Sequence, residues 1–115
     1  GIFGTFGSWF NPLKINAMLL IRDVFRCKPG KARMLAEMFK KTIPSMEQQD
    51  GFKNCRVMVD YVASYWTVVL QAECERIEEF DHHSRTFGTR DDVREALKGY
   101  MELVEEGHRE IYRIL

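Results

Sequence analysis

The pattern of apolar and polar positions divides most of the chain into alternating strands and helices. Residues 18–27 (MLLIRDVFRC) are dense in aliphatic and aromatic side chains, which is typical of a strand. Pro44 is expected to break or kink the helix that follows, and Gly51 is expected to end it. That helix is predicted by apolar residues at steps of three or four, which describe one helical face: Ala32, Leu35, Phe39, Ile43 and Met46.

The next segment predicts a β-hairpin. Residues 52–62 and 65–74 are rich in β-branched and aromatic side chains, and only Ala63-Ser64 separates them. A link of this length would place Val59 opposite Thr67. Both faces of the hairpin are substantially apolar, so we expect both to be covered.

The last third of the chain predicts two helical stretches and a final strand. Residues 75–87 have helical periodicity, and Thr89 with Asp92 forms a capping-box pattern that should start another helix. That helix is expected to continue to Gly107, and residues 108–115 (HREIYRIL) should form the last strand.

This order of elements predicts an α+β, ferredoxin-like β-α-β-β-α-β fold with a four-stranded antiparallel sheet and the helices on one face. We assign residues 18–115 to a single domain and residues 1–17 to an N-terminal extension. The open sheet face needs a partner, and a second copy is the simplest one. Two such sheets would pair into a dimeric α/β barrel.

The amino-acid composition argues against nucleic-acid binding and against a membrane-spanning protein. Lysine plus arginine (17) balances aspartate plus glutamate (17), so no strong field attracts nucleic acid or an anionic membrane surface. No apolar run is long enough to span a membrane. Three separated cysteines without a C-x-x-C motif, Cys27, Cys55 and Cys74, indicate reduced thiols and a cytoplasmic location.

Two segments resemble those of a known family. Residues 24–39 (VFRCKPGKARMLAEMF) and residues 75–87 (ERIEEFDHHSRTF) resemble antibiotic biosynthesis monooxygenase-like proteins of the dimeric α/β barrel superfamily. NIPSNAP-like and stress-responsive barrel proteins are relatives by fold. The resemblance implies a homodimer, and in each subunit a cavity between sheet and helices. It also implies cofactor-independent oxidation of a small aromatic or quinol-like compound.

The sequence departs from the family at three positions. Cys74 occupies the exit of the third strand, where family oxygenases often carry a tryptophan. Heme-degrading members have an asparagine where this chain has Asp23. They also take an axial histidine from the later part of the second helix, and the corresponding residues 90–106 of this chain contain no histidine. We therefore predict no heme and no other cofactor.

The adjacent histidines His82 and His83 are the strongest candidates for chemistry, because neutral imidazoles act as general bases and metal ligands near pH 7. Neighbouring helix residues point about 100° apart, so the two rarely share a metal, and we predict no metal site. His83 falls where many family members have a helix histidine, and we predict it as catalytic. His82 is predicted to bind substrate. Solvated or hydrogen-bonded histidines are the simpler alternative.

Four more residues complete the predicted site. Trp66 and Tyr61 could stack on a flat ligand, or could instead cover the core or the dimer interface. Arg22 and Asp23 are adjacent on the first strand and must point to opposite sheet faces. We predict Asp23 as catalytic and Arg22 as substrate-binding, with cross-sheet ion pairing as the alternative.

Two functions fit these observations. The first is a cofactor-independent monooxygenase-like protein that acts on, or binds, a small aromatic or quinol-like compound. The second is a non-enzymatic dimeric ligand-binding or interaction module. An enzyme should converge several polar groups in one enclosed cavity, whereas a scaffold should fill that cavity with apolar side chains.

Overall fold

Four antiparallel strands form one sheet in the computed structural model, which describes residues 18–115. Their order across the sheet is β2-β3-β1-β4, which confirms the predicted ferredoxin-like topology. The predicted extension, residues 1–17, lies outside the described residues. The strands are β1 (Leu19–Cys27), β2 (Lys53–Val59), β3 (Thr67–Cys74) and β4 (Val104–Arg113).

The helical break at Pro44 is confirmed. This proline lies in the first turn of the second helix, where its missing N–H costs nothing. Gly51 ends the same helix with a left-handed φ of 70°, and the Phe52 N–H donates to the Met46 carbonyl at 3.1 Å. The helices are α1 (Ala32–Lys40), α2 (Ile43–Gln49), α3 (Ile77–Thr86) and α4 (Asp91–Ala96), with 3₁₀ turns at Phe87–Thr89 and Tyr100–Leu103.

The predicted helix from Thr89 to Gly107 is wrong. Helix α4 has only six residues, and the residue that precedes it is Arg90, so the capping box does not form. Gly99 adopts a left-handed φ of 81° and turns the chain toward β4, which already starts at Val104. Pairing with β1 along nearly all of β4 outweighs the helical periodicity of this segment.

The predicted hairpin register is also wrong, by one residue. Val59 pairs with Val68 rather than Thr67, because the loop spans residues 60–66 instead of two residues. The Asp60 carboxylate accepts the Thr67 N–H at 2.9 Å, and Trp66 has a φ of 66°. A one-residue shift exchanges the faces of a strand. As a result Val57 and Val59, and not Arg56 and Met58, share a face with Leu70 and the fully buried Val68.

The helices cover one face of the sheet, and the core lies between them. On β3 every second residue is buried, which is the alternation expected of a sheet with one covered face. We call this side the covered face. Its core combines sheet and helix residues: Ile21, Val68, Leu70 and Ala72 with Leu35, Ala36, Phe39 and Met46.

The other side, the open face, contains no buried residue within the described strands. Leu20 and Val24 are half-buried there, and Arg22 donates hydrogen bonds to Glu110 and Gln71, both at 3.3 Å. The open face is therefore a mixed apolar and charged surface. No helix within residues 18–115 is long and apolar enough to cross a membrane.

Candidate functional site

A cavity of about 400 Å³ lies between the helices and the covered face. That volume is in the range of small-molecule pockets. Aromatic rings from β1, α1 and the two 3₁₀ turns form much of its wall: Phe25, Phe39, Phe87 and Tyr100. Four polar side chains also line it, namely Asp23, His83, Arg94 and Arg109.

His83 is held in the cavity wall by a buried carboxylate. Helix α3 presents its imidazole, and its Nδ1 lies 2.7 Å from Oδ2 of Asp50, the residue after α2. An ionised carboxylate only accepts hydrogen bonds, so Nδ1 carries the proton and donates it. The other nitrogen, Nε2, then has a free lone pair, and it forms no hydrogen bond within residues 18–115.

Arg90 fixes the same carboxylate from the opposite side. Its guanidinium donates to both oxygens of Asp50, with Nη2–Oδ1 at 2.6 Å and Nη1–Oδ2 at 3.1 Å. It also donates to Ser45 Oγ at 3.1 Å and to Thr86 Oγ1 at 2.9 Å. The bidentate ion pair holds the Asp50 carboxylate, and the bonds to Ser45 and Thr86 hold the Arg90 guanidinium. The carboxylate therefore has little freedom to rotate, and it fixes the orientation of the His83 ring.

Burial and hydrogen bonding set the charges of this pair. Burial raises the pKa of Asp50, but hydrogen bonds from Arg90 and His83 outweigh it and hold that pKa below its usual value. Burial lowers the pKa of His83, and the neighbouring Asp50 carboxylate offsets this only in part. The result near pH 7 is an ionised Asp50 and a neutral imidazole that can accept a proton.

Phenylalanine rings surround the imidazole of His83. The ring centroid of Phe87 lies 4.5 Å from that of His83, and those of Phe52 and Phe80 lie at 4.9 and 6.3 Å. These rings keep water away from the imidazole, which strengthens the electrostatic effect of the carboxylate behind it.

Asp23 reaches the cavity from β1 and is paired with Arg109 of β4. The Arg109 guanidinium donates through Nε to Oδ1 at 2.5 Å and through Nη2 to Oδ2 at 3.2 Å, and it lies 5.0 Å from the centroid of the Phe80 ring. The hydrogen bond to Asp23 raises the pKa of Arg109. Because Arg22 pairs with Glu110 on the open face, both adjacent charges of β1 form the cross-strand ion pairs considered from the sequence.

The structure brings the two predicted catalytic residues, His83 and Asp23, into one cavity wall. The predicted substrate-binding residues do not line this cavity; they are Arg22, Tyr61, Trp66 and His82. The first lies on the open face, the next two lie on the exposed hairpin loop, and the last is exposed on α3. Their role in binding stays a prediction.

Sequence reasoning missed the residues that define the chemistry of His83. Asp50 and Arg90 stand 33 positions before and 7 positions after it, and they are 40 positions apart from each other. No local motif links them, because their contact depends on how α2 and α3 pack. Within residues 18–115, no group of three or more His, Cys, Asp or Glu side chains could hold a metal ion.

Comparison with known proteins identifies the fold. No protein-family model matches the chain, and no curated protein matches it significantly by sequence. Solved structures do match. A NIPSNAP-like domain protein from Burkholderia xenovorans superposes with a TM-score of 0.70 at 14% identity, over 87% of each chain. A candidate antibiotic biosynthesis monooxygenase from Chloroflexus aurantiacus gives 0.66 at 15% identity, over 85% of this chain and 93% of that one.

A third structure, a dimeric protein of unknown function and ferredoxin-like fold from Bacteroides fragilis, gives a TM-score of 0.65 at 14% identity. It covers 85% of this chain and 97% of its own. The chain shares the ferredoxin-like fold of these proteins. The ferredoxin-like fold that the family resemblance implies is therefore confirmed, and identities this low carry neither a superfamily nor an activity with it.

Proposed function

We propose that this protein is a cofactor-independent, monooxygenase-like protein that binds a small aromatic or quinol-like compound and removes a proton from it with His83. The observation that supports this proposal is the pairing of His83 with Asp50 in an aromatic cavity. A neutral imidazole with one nitrogen held by a carboxylate has its other nitrogen free to act as a base.

The lining of the cavity favours a flat, electron-rich ligand. The rings of Phe25, Phe39 and Phe87 offer apolar faces and edges for offset or edge-to-face contact. The cavity wall has only a few polar side chains. Such a lining can hold one ligand in a fixed orientation through a few hydrogen bonds. Asp23, fixed by Arg109, supplies an acceptor that could orient a ring hydroxyl.

The proposed reaction needs only dioxygen besides the substrate. With an anthrone as substrate, His83 Nε2 takes a proton from the ring methylene, and the carbanion delivers two electrons to dioxygen while a carbon–oxygen bond forms. The peroxide oxygen takes the proton back from His83, and loss of one water leaves the ketone. The methylene carbon is oxidised, dioxygen is reduced, and the substrate is the only reductant.

The test is oxygen uptake with a panel of anthrones and quinols. We expect His83→Ala to lower the rate about 100-fold, which is the lower range for loss of a general base. His108→Ala is the matched control, because it removes an exposed histidine of the open face that does not line this cavity, and it should leave the rate unchanged. Equal rates for wild type and both variants would contradict the proposed role of His83.

We also propose a homodimer through the open face. Half-buried apolar residues lie at its centre, including Val24 between Val69 and His108. The fold shared with a protein described as dimeric supports a dimer of this chain. Val24→Glu should give a folded monomer in light scattering, whereas Lys40→Glu on the exposed side of α1 should leave the dimer intact. A monomeric wild type at micromolar concentration would refute the dimer.

A non-enzymatic interaction module is the second candidate, and the hairpin loop favours it. Tyr61, Val62 and Tyr65 are 100%, 90% and 81% exposed there. Apolar side chains grouped in this way are typical of contact surfaces. If Tyr61→Ser with Tyr65→Ser abolishes association with a partner and no cavity ligand is turned over, this second function is the correct one.

The cysteines support a reducing compartment such as the cytoplasm. All three, Cys27, Cys55 and Cys74, are free thiols. Burial raises the pKa of Cys55 and of Cys74 to about 11, so both are protonated and unreactive near neutral pH.

A further inference from the structure

The two arginines that line the cavity differ in what they bind. Arg109 uses Nε and Nη2 on the carboxylate of Asp23, so the face of its guanidinium best suited to a carboxylate is occupied. The side chain of Arg94 forms no hydrogen bond and no ion pair within residues 18–115. Arg94 is exposed on α4, at the edge of the same cavity.

The charges around the cavity do not cancel. Asp23 and Arg109 neutralise each other, and the charge of Asp50 is matched by Arg90 behind a neutral His83. Arg94 is the remaining charged side chain of the wall, and it forms no ion pair within residues 18–115. The acidic residues of its own helix and its neighbour Glu95 form no ion pair with it. Because Arg94 is exposed, water screens this charge until a bound ligand covers the guanidinium.

We infer that the ligand of this cavity is an aromatic monoanion, with its carboxylate bound by the guanidinium of Arg94. The planar, five-donor guanidinium of arginine matches a carboxylate in a bidentate arrangement. The ring then lies among the phenylalanines, and the acidic hydrogen of the ring faces His83. This inference rests on the proposed function for the position of the ligand and adds the class of compound.

An ion pair at Arg94 would distinguish ligands that have the same shape but different charge. A neutral quinol and its carboxylated analogue present the same ring to Phe25, Phe39 and Phe87. Both compounds can accept a hydrogen bond from Arg94, but only the carboxylated compound forms a bidentate ion pair with it, in which donor and acceptor are both charged. Selection by charge would therefore be a property of Arg94 and not of the aromatic wall.

The test is calorimetric titration of the full chain with a hydroxynaphthoate and with the hydroxynaphthamide of the same substitution pattern. We expect the carboxylate to bind wild type about tenfold more tightly, which equals about 1.4 kcal/mol. In Arg94→Gln the ratio of the two dissociation constants should fall to about one. Arg94→Lys should restore part of the preference, because lysine keeps the positive charge but cannot form the bidentate contact of a guanidinium. Lys98→Gln removes an exposed charge outside the cavity wall and is the matched control.

Each result separates this inference from the proposed function. Equal binding of both compounds by wild type would overturn the inference and leave the oxygenase proposal standing. A preference for the carboxylate that Arg94→Gln abolishes, without oxygen uptake, supports the inference and contradicts the oxygenase chemistry. Binding of neither compound overturns the inference together with the aromatic cavity ligand on which it rests. An equal loss of preference in Lys98→Gln would also overturn it, since net charge and not Arg94 would then be the cause.

Discussion

Two clusters of an arginine, a carboxylate and a histidine lie on opposite sides of the sheet. The covered cluster consists of Arg90, Asp50 and His83. The open cluster consists of Arg22, Glu110 and His108. In both, the carboxylate accepts from the arginine and lies close to a ring nitrogen of the histidine, at 2.7 Å in the covered cluster and 2.8 Å in the open one.

Burial separates the two clusters. The carboxylate side chain is 0% exposed in the covered cluster and 32% exposed in the open one, and the histidine side chains are 9% and 59% exposed. In a single subunit, water competes for every group of the open cluster and screens its charges. In the covered cluster burial excludes competing water, so the carboxylate fixes the tautomer of His83. The same three residue types therefore give a surface network on one face and a candidate base on the other.

The largest expected difference between the clusters is in stability. Asp50→Ala removes the buried carboxylate between His83 and Arg90 and, within residues 18–115, leaves the partly buried Arg90 guanidinium without a counterion. Breaking a buried pair in this way costs about 3 kcal/mol or more. We expect a matching fall in the free energy of unfolding, measured by urea denaturation followed by circular dichroism.

Glu110→Ala is the matched control on the open face. Both substitutions are compared in the monomeric Val24→Glu protein, in which the open face is exposed. Glu110→Ala removes a carboxylate with the same two kinds of partner, but water can replace the lost bonds, so the unfolding midpoint should change little. If both substitutions destabilise the fold equally, burial does not distinguish the clusters.

A second prediction tests the cavity wall beside the covered cluster. Gly107 of β4 faces Phe25, and a Cβ added there would lie 2.9 Å from Cδ1 of that ring. Phe25 packs on Phe39 with their centroids 5.0 Å apart and lines the cavity, so a shift of its ring changes the cavity wall. We expect Gly107→Ala to cost about 1 kcal/mol through overpacking and to weaken binding of an aromatic ligand several-fold. Urea denaturation and calorimetric titration measure the two effects.

Gly88 provides the control for that substitution. It also lines the cavity, but a Cβ added there would meet nothing within 4 Å. Gly88→Ala should therefore leave stability and binding nearly unchanged. If both variants lose similar amounts of stability and binding, the contact with Phe25 is not the cause of the loss in Gly107→Ala. The cavity wall then tolerates no added methyl group at either position.

The fold could be predicted from the sequence because its signals are local. Residues 18–27 have the composition of a buried strand, and Pro44 and Gly51 mark helix boundaries that the structure confirms. The start of β4 could not be predicted, since Val104 continues a helical pattern until pairing with β1 decides its conformation. Elements whose conformation depends on distant partners were the ones predicted wrongly.

The candidate site shows the same division. His83 was predicted from its place in the family resemblance, and the structure puts it in the cavity wall. Asp50 was not predicted, because an aspartate before a glycine at a helix end usually caps or turns toward solvent. Only the packing of α2 against α3 places this carboxylate beside His83.

The smallest expected effect is the dependence of stability on pH. The pKa of His83 is lowered from 6.5 in the folded protein, mainly by burial. Below pH 6.5 the unfolded chain therefore binds a proton that the folded protein does not, and stability falls with pH until the lower pKa is reached. Above pH 6.5 this group contributes no slope. Asp50 adds a separate loss only at more acidic pH, below its ordinary value of 3.8.

His83→Gln isolates the contribution of the covered histidine, because the amide can still donate to Asp50 but does not titrate. The urea midpoint of wild type should be lower at about pH 5.5 than at about pH 7.5, and the difference should shrink in His83→Gln. His108→Gln makes the same change in the open cluster and should keep the wild-type difference. The contrary result is that His108→Gln removes the pH dependence of the urea midpoint and His83→Gln does not. In that case His83 is not a buried neutral base, and the two clusters do not differ in the way that the proposed function needs.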